Sequence, residues 1–421
     1  MSNVTVLVGA QWGDEGKGKW IDILSENADI IVRYQGGNNA GHTLYVAGEK
    51  IVLHQIPSGI FQQDKICALS SGVVINPSEL VKEIEKVSKL VSVSSQRLWL
   101  SPRAHMITPW HIYLDSKKEG EVDQPIGTTK RGIGPTYAEK ANRSGLRLGD
   151  FVQDDRRSRW IEQMKSYASG FANHYEQNQE LWTAFNEAAS MLSVYVCDAE
   201  AQIRSAIERD KHILLEGAQG ALLDINHGTY PYVTSSSTAS AGALASIGFS
   251  PRAISKVIGV AKAYTTRVGE GPFPTEDKGA NGKLLAEKGH EFGATTGRPR
   301  RCGWLDCVAL KYSIDINGID EVILNKMDIL SGFDNLYVAK AYQHPTLGII
   351  EYFPWDEQIL SQCQPVYETL QGWSENLPPS GRIQDLPDAA KSYIRCIEAM
   401  IGKPIRMVGT GVNRNNALYA D

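Results

Sequence analysis

Val4 to Val8 form an unbroken aliphatic and β-branched run that leads straight into a glycine-dense turn, Gly13-Asp14-Glu15-Gly16-Lys17-Gly18-Lys19. A run with no polar alternation reads as a strand buried on both faces, which is the habit of parallel sheets. Parallel neighbours need crossover connections, commonly helices, so the opening residues point to an α/β architecture. Further apolar runs at 212–216, 256–260, 321–324 and 405–408 read as more strands of that kind. Between them, Asn76-Pro77-Ser78-Glu79 supplies an N-cap, a proline for the first helical turn and a capping glutamate, with Leu80, Ile84, Val87 and Val91 on one face of the helix that follows. The stretch from about Asp150 to Asp210 is rich in helix formers, and 388–401 reads as another helix. The expected fold is a single large α/β domain, residues 1–421, around a mostly parallel central sheet with helices on both faces, a P-loop-like nucleotide site, and smaller helical and hairpin subregions. Length alone suggests two or three domains, but the glycine- and threonine-rich segments are spread from one end to the other, which favours one composite site.

Composition narrows the partners. With 42% hydrophobic and 22% charged residues and a net charge of −5, the chain offers no general electrostatic reason to bind nucleic acid or an anionic membrane. Its first residues, MSNVTVLVGAQWG, lack the basic segment and cleavage pattern of a signal peptide. The six cysteines are scattered with no CxxC pair, so they read as reduced thiols of a cytoplasmic protein.

Gly13 to Lys19 fits the G-x-x-x-x-G-K part of a phosphate loop, where glycines let backbone N–H groups face an anion and a lysine neutralises its charge. The next residue, which should be a magnesium-holding Ser or Thr, is Trp20, leaving Asp14 as the obvious oxygen ligand. By itself such a stretch also suits an ordinary strand-to-helix turn with solvated lysines. Arg33 to Thr43 is a second small, amide-rich cluster, too polar for a strand, ending in His42, a residue able to donate to an oxygen that gains charge. Asn325-Lys326-Met327-Asp328 matches the N-K-x-D pattern that reads guanine, whose N1–H and 2-amino group both suit a carboxylate, though a solvated strand-end turn is equally compatible. Ala294 to Arg301 gathers three guanidinium groups and two hydroxyls around Gly297 and Pro299, which keep it irregular; it suits phosphate or dicarboxylate binding, or a basic surface loop.

Taken in order, QWGDEGKGK at 11–19, NAGHT at 39–43, GIGPTYAEK at 132–140, EGAQG at 216–220, HGTYPYVTSS at 227–236, RVGEGPFPTE at 267–276, and TTGRPRRCGWLD at 295–306 resemble the adenylosuccinate synthetase family along essentially the whole chain. The resemblance implies GTP-dependent ligation of L-aspartate to IMP through a 6-phosphoryl intermediate, with magnesium, in a cytoplasmic homodimer. It implies catalytic roles for Asp14, as base and metal ligand, for His42, which steadies charge at the 6-oxygen, and for Lys140. The carbonyl of Gly41 becomes the second magnesium ligand. Gly13, Asp14, Glu15, Gly16, Lys17, Gly18, Lys19, Gly41, His42, Thr43 and Arg300 are implied around the GTP phosphates, and Lys326, Met327, Asp328, Gly409, Thr410 and Gly411 around guanine. Asn39, Ala40, Thr129, Arg143, Gln219, Thr234 and Arg298 are implied for IMP, Arg143 reaching the IMP phosphate of the other subunit. Ala294, Thr295, Thr296, Gly297 and Arg298 belong to the implied aspartate loop. The implied segments are thus a phosphate loop at 9–19, substrate loops at 127–143, 216–236 and 294–301, and a guanine site at 325–328 and 409–411.

One departure, one contrast with a phage relative and two rival readings accompany the resemblance. Thr410-Gly411-Val412-Asn413-Arg414 stands where many family members have T-G-P-[DE]-R, which bears on the base pocket. A phage relative acting on a 2-aminopurine nucleotide has serine where this chain has Asp14, so Asp14 favours IMP. The rivals are a GTP-binding switch protein, against which Trp20 counts, and a related ligase for another purine nucleotide.

Overall fold

The computed structural model describes residues 3–46, 48–121, 128–292 and 299–421. Ten strands form one sheet in the order Ser380–Arg382, Ala417–Tyr419, Ile405–Gly409, Glu321–Asn325, Ile254–Lys262, Val4–Gly9, Ile213–Glu216, Ile30–Arg33, Ile66–Leu69 and Leu98–Leu100. The eight strands from Ile405–Gly409 onward pair in parallel, and the sheet turns antiparallel between Ile405–Gly409 and Ala417–Tyr419.

Alternation along each strand divides the sheet's two faces between two cores. Val4, Val6 and Val8 join Ile30, Val32, Ile213 and Leu215 under the helix Asp388–Ile401. Leu7, Ile31, Leu214, Ile258 and Ile323 turn the other way, against the helices Lys17–Leu24 and Pro77–Ser88. Most side chains of such a strand leave water, which is why these segments are largely aliphatic. A smaller sheet of Leu305–Asp306, Asn335–His344, Gly348–Ile350 and Gln364–Gln371 lies apart from the main one, and His42–Val46 pairs with Glu49–Leu53 as a hairpin. All six cysteines are free thiols, and among the described residues no helix is long and apolar enough to cross a membrane.

Three local expectations change. The helix after Asn76 stops at Ser88, so Val91 packs on the core from beyond its end, although Asn76 caps it as expected by accepting from the Glu79 N–H at 3.2 Å. The polar cluster 33–43 is not irregular throughout: Arg33 ends a strand, and His42 and Thr43 begin the hairpin, in which Leu44 and Ile51 pair and bury together. Arg301, expected in irregular chain, opens the short strand Arg301–Gly303, which pairs with Thr265–Arg267.

Candidate active site

Each parallel strand that matters here ends on the same edge of the sheet, and each is followed by a segment singled out in the sequence. Gly9 leads to the phosphate loop, Arg33 to the turn before His42, Glu216 to Gln219, Asn325 to Lys326 and Asp328, and Gly409 to Thr410 and Gly411. Val4–Gly9 sits between Ile213–Glu216 and Ile254–Lys262, with earlier strands on one side and later ones on the other. That arrangement opens a crevice outside the carboxyl ends, where open α/β sheets take their ligands.

The phosphate loop is braced from inside. Gly13, Asp14 and Gly16 have φ of 86°, 60° and 86°, so the backbone here favours glycine and makes Asp14 an exception. Glu15, wholly buried, accepts from the N–H groups of Gln11 at 3.1 Å and Gly13 at 2.9 Å and pairs with Lys17 at 2.6 Å. A Cβ on Gly9 would lie 2.4 Å from a Glu15 oxygen, so glycine there makes room for the brace. Gly18 meets His42, to which a Cβ would come within 2.9 Å. Trp20 is fully buried in the core, so no hydroxyl stands at the usual metal-holding position.

Behind His42 lies a buried carboxylate. Glu216 accepts from His42 Nδ1 at 2.5 Å, from the Ser58 N–H at 2.8 Å and from the Ser58 hydroxyl at 2.9 Å, with Arg33 at 4.0 Å. Burial pushes the imidazole below its ordinary pKa more than the Glu216 hydrogen bond and charge raise it, so His42 is neutral at pH 7 and donates through Nδ1. Burial acts to raise Glu216, yet the hydrogen bond from His42, the charge of Arg33 and the Ser58 amide keep it below the usual carboxylate range. An imidazole held this way presents Nε2 as its reactive nitrogen.

On the other side of the loop, Asn325 ties three segments together. Its amide donates to the Glu15 carbonyl at 2.8 Å, and a Cβ on Gly409 would lie 2.0 Å from its other end. Lys19 points away from the loop and donates to the carbonyls of Gly411 at 3.0 Å and Asn416 at 2.6 Å; burial brings its pKa down to about 8. Arg414, within the departing segment, pairs with Glu26 and lies 3.5 Å from Asp22 on the helix Lys17–Leu24. Met327 is fully buried, and Thr410 donates to the Pro378 carbonyl at 3.0 Å. Oδ1 of Asp328 is buried without a hydrogen-bond partner among the described residues, and burial raises its carboxyl against the charges of Lys326, Lys19 and Lys288. An orphaned buried acceptor is costly, and a guanine edge would relieve it.

Arg300 crosses the crevice. Its Nε donates to Asp14 at 2.6 Å and its Nη1 to Glu291 at 2.5 Å. Glu291 also receives Lys262 at 3.1 Å, Lys326 at 2.6 Å and the Tyr264 hydroxyl at 2.5 Å. One carboxylate oxygen of Asp14, Oδ2, is therefore engaged by Arg300 in this conformation.

The remaining expected residues divide. Gln219, with φ of 56°, leaves its Nε2 buried beside Gly36 and without a partner among the described residues. Thr234 is half-buried on the same loop, and Asn39 accepts from the Gly37 N–H at 3.2 Å with Ala40 and Gly41 following. Lys140 donates to the Ser71 carbonyl at 2.7 Å on a helix, Ile133–Asn142, whose Tyr137 donates to Gly72 at 2.7 Å and accepts from Gly36 at 2.9 Å. Thr129 and Arg143 are exposed, and the Arg143 side chain has no partner among the described residues. Ala294, Thr295, Thr296, Gly297 and Arg298 lie outside the described residues. Sequence reasoning singled out neither Glu291, Lys262 and Tyr264 nor Ser58. Glu216 and Asn325 stood inside quoted motifs without a role, and their position at strand ends was the signal available.

A family model for adenylosuccinate synthetase matches residues 6–418. The chain belongs to the adenylosuccinate synthetase family. A relative with that name from Thermodesulfovibrio yellowstonii is 45% identical over 426 residues, covering 100% of this chain and 99% of that one. A solved, fully ligated adenylosuccinate synthetase from Plasmodium falciparum superposes with a TM-score of 0.93 at 40% identity, covering both chains completely. A cyanophage S-2L succinoaminodeoxyadenylate synthetase bound to dGMP and dATP matches with a TM-score of 0.64 at 21% identity, covering 100% of this chain and 95% of that one, and shares the fold. The α/β fold and the reading as a ligase enzyme hold. The rival reading as a GTP-binding switch finds no support in these matches.

Proposed function

We propose that this chain joins L-aspartate to IMP at the expense of GTP, releasing adenylosuccinate, GDP and phosphate. What carries the reading is the convergence on one crevice of a phosphate loop, a buried imidazole backed by a carboxylate, and a guanine-side carboxylate with an unpartnered oxygen. In the first step Asp14, released by Arg300, takes the N1 proton of IMP, and the 6-oxygen attacks the γ-phosphorus as the bond to GDP breaks. Before the transfer Nε2 of the neutral His42 takes up a proton from solvent; the imidazolium so formed donates through Nε2 to the oxygen that gains charge, and Glu216 offsets its positive charge. In the second step the aspartate amine attacks C6; the carbon–nitrogen bond forms, and phosphate departs with the former 6-oxygen. No protein nucleophile is needed, because positioning and charge stabilisation do the chemistry.

The carboxylate of Asp14 and the carbonyl of Gly41 are hard oxygen donors of the kind magnesium takes alongside phosphate oxygens and water, and the bound ion would offset phosphate charge. The half-buried Gln219 and Thr234 suit contacts to IMP, as does Thr129 on the exposed segment. The exposed guanidinium of Arg143 suits the phosphate of an IMP bound to a second copy in a cytoplasmic homodimer. Phosphate release from GTP by the purified protein, measured with IMP and aspartate together and singly, tests the function. Release that needs both, with adenylosuccinate as product, is expected; release from GTP alone, or with another purine nucleotide in preference to IMP, refutes it.

A further inference from the structure

Glu291 follows the helix Ala280–Gly289 and is almost completely buried. Its carboxylate faces three cations. Oε1 and Oε2 each lie 3.1 Å from Lys262 Nζ, Oε1 also takes Lys326 at 2.6 Å, and Oε2 takes Arg300 at 2.5 Å. The backbone adds a clasp: the Arg300 N–H donates to the Glu291 carbonyl at 2.9 Å, and Phe292 bridges to Pro299. Phe292 and Pro299 thus meet at a junction beside which the Glu291 carboxylate holds Arg300. Lys326 belongs to the turn that carries Asp328, and Lys262 ends the strand next to Val4–Gly9, where its backbone N–H donates to Gln11 at 2.9 Å at the root of the phosphate loop.

We propose that Glu291 is a positioning residue that couples the guanine-side turn to the base of the aspartate loop, because its single buried carboxylate holds Lys326 and Arg300 at once. The inference rests on the proposed function for the identity of the two ligands. A buried anion shared by three cations cannot lose one partner without changing its attraction for the others, since charge interactions are strong where water is excluded. Movement of Lys326 when guanine binds is therefore felt at Arg300, and release of Arg300 from Asp14 is felt at the guanine side. The Tyr264 hydroxyl, 2.5 Å from Oε1, fixes the carboxylate's rotation.

The test compares Glu291→Gln and Tyr264→Phe with the parent full-length protein, by calorimetric titration with GDP and by steady-state KM for aspartate and IMP. Loss of the charge removes hydrogen bonds between ionised partners, so Glu291→Gln should weaken GDP and raise the aspartate KM, each by about tenfold, with the IMP KM changing by less than about twofold. Tyr264→Phe, which removes one neutral donor, should move the same two quantities by about threefold. If only one of the two moves, or all three move together, the coupling role is overturned and Glu291 is a packing element. Should Glu291→Gln fail to fold, unchanged GDP affinity and aspartate KM in Tyr264→Phe overturn it equally. Should the parent make no adenylosuccinate, the proposed function falls, and GDP affinity alone decides the Glu291 assignment: equal affinity in parent and variant refutes it.

Discussion

Replacing Glu216 with glutamine changes one oxygen for an amide at the most enclosed point of the crevice. The carboxylate is fully buried and holds His42 Nδ1 at 2.5 Å and both donors of Ser58 at 2.8 and 2.9 Å. Glutamine keeps one acceptor for Ser58 but cannot serve the other two contacts with a charge. A hydrogen bond between ionised partners contributes about 1.5–3 kcal/mol, and at 1.36 kcal/mol per decade the loss of one corresponds to roughly ten- to a hundredfold in rate. The larger figure applies because the reacting state carries the imidazolium, whose counter-ion is then missing where it matters most. We expect kcat to fall by about a hundredfold, with KM for GTP and IMP changing by less than about threefold.

The same substitution has a signed effect on pH. Burial already depresses the His42 pKa, and Glu216 is the main influence raising it. Without that charge the imidazole stays neutral to a still lower pH, so any step that needs it protonated is lost at lower pH than in the parent. Phosphate release at saturating GTP, IMP and aspartate, measured from pH 5.5 to 9 on protein of verified fold, reports both quantities. A kcat within about threefold of the parent and a superimposable pH profile would refute the assigned role of the pair.

Asp328→Asn should weaken GTP by about ten- to a hundredfold and favour XTP, whose 2-carbonyl suits the amide; unchanged kinetics with both nucleotides would sink the guanine assignment. Glu83, buried and accepting from the N–H groups of His54, Gln55 and Ile56, has its pKa raised by burial to about 7. A carboxyl raised in the folded state stabilises most below its unfolded pKa and loses that contribution as pH climbs through the folded one. Thermal melting should therefore show stability falling between about pH 4.5 and 7 by up to roughly 3 kcal/mol, a slope that Glu83→Gln abolishes. Arg143→Leu and Asp14→Asn, each inactive alone, should regain activity when mixed, since one site of a hybrid dimer carries neither defect; if subunit exchange is verified by mass and activity stays absent, Arg143 does not act across subunits.

How far the sequence carried this reading depends on the range of the interactions involved. Parallel strands announce themselves because both faces are buried, and the continuous apolar stretches Val6–Val8 and Val322–Leu324 show no alternation to confuse the pattern. Loops at strand ends carry glycine and charge in short windows, so the segments around Asp14, His42 and Asp328 were visible locally. Glu291 was not, because its three cations come from residues 262, 300 and 326, and no window of sequence holds them together. His42 misled for the opposite reason: the small residues before it resemble irregular chain, yet hairpin pairing of Leu44 with Ile51 starts its strand at the histidine itself. Trp20 was read as a missing metal ligand, and the fold adds that its side chain belongs to the core.

The phosphate loop shows why a motif match does not fix a charge balance. Its pattern promises free amides and two lysines for an anion. In the folded chain the amides of Gln11 and Gly13 already serve the Glu15 carboxylate, Lys17 is paired with the same group, and Lys19 serves the carbonyls of Gly411 and Asn416. An internal anion inside a nest of amides rigidifies the loop without a ligand, at the cost of attraction for one. A triphosphate arriving here must therefore draw on the first turn of the helix Lys17–Leu24, whose opening amides have no partner within the helix, and on a Lys17 that leaves or shares Glu15. It must draw as well on Arg300, which Asp14 and Glu291 hold in place until then. Lys17 and Arg300 are committed to carboxylates beforehand, so binding exchanges one ion pair for another, which favours a ligand able to replace both together over isolated phosphate.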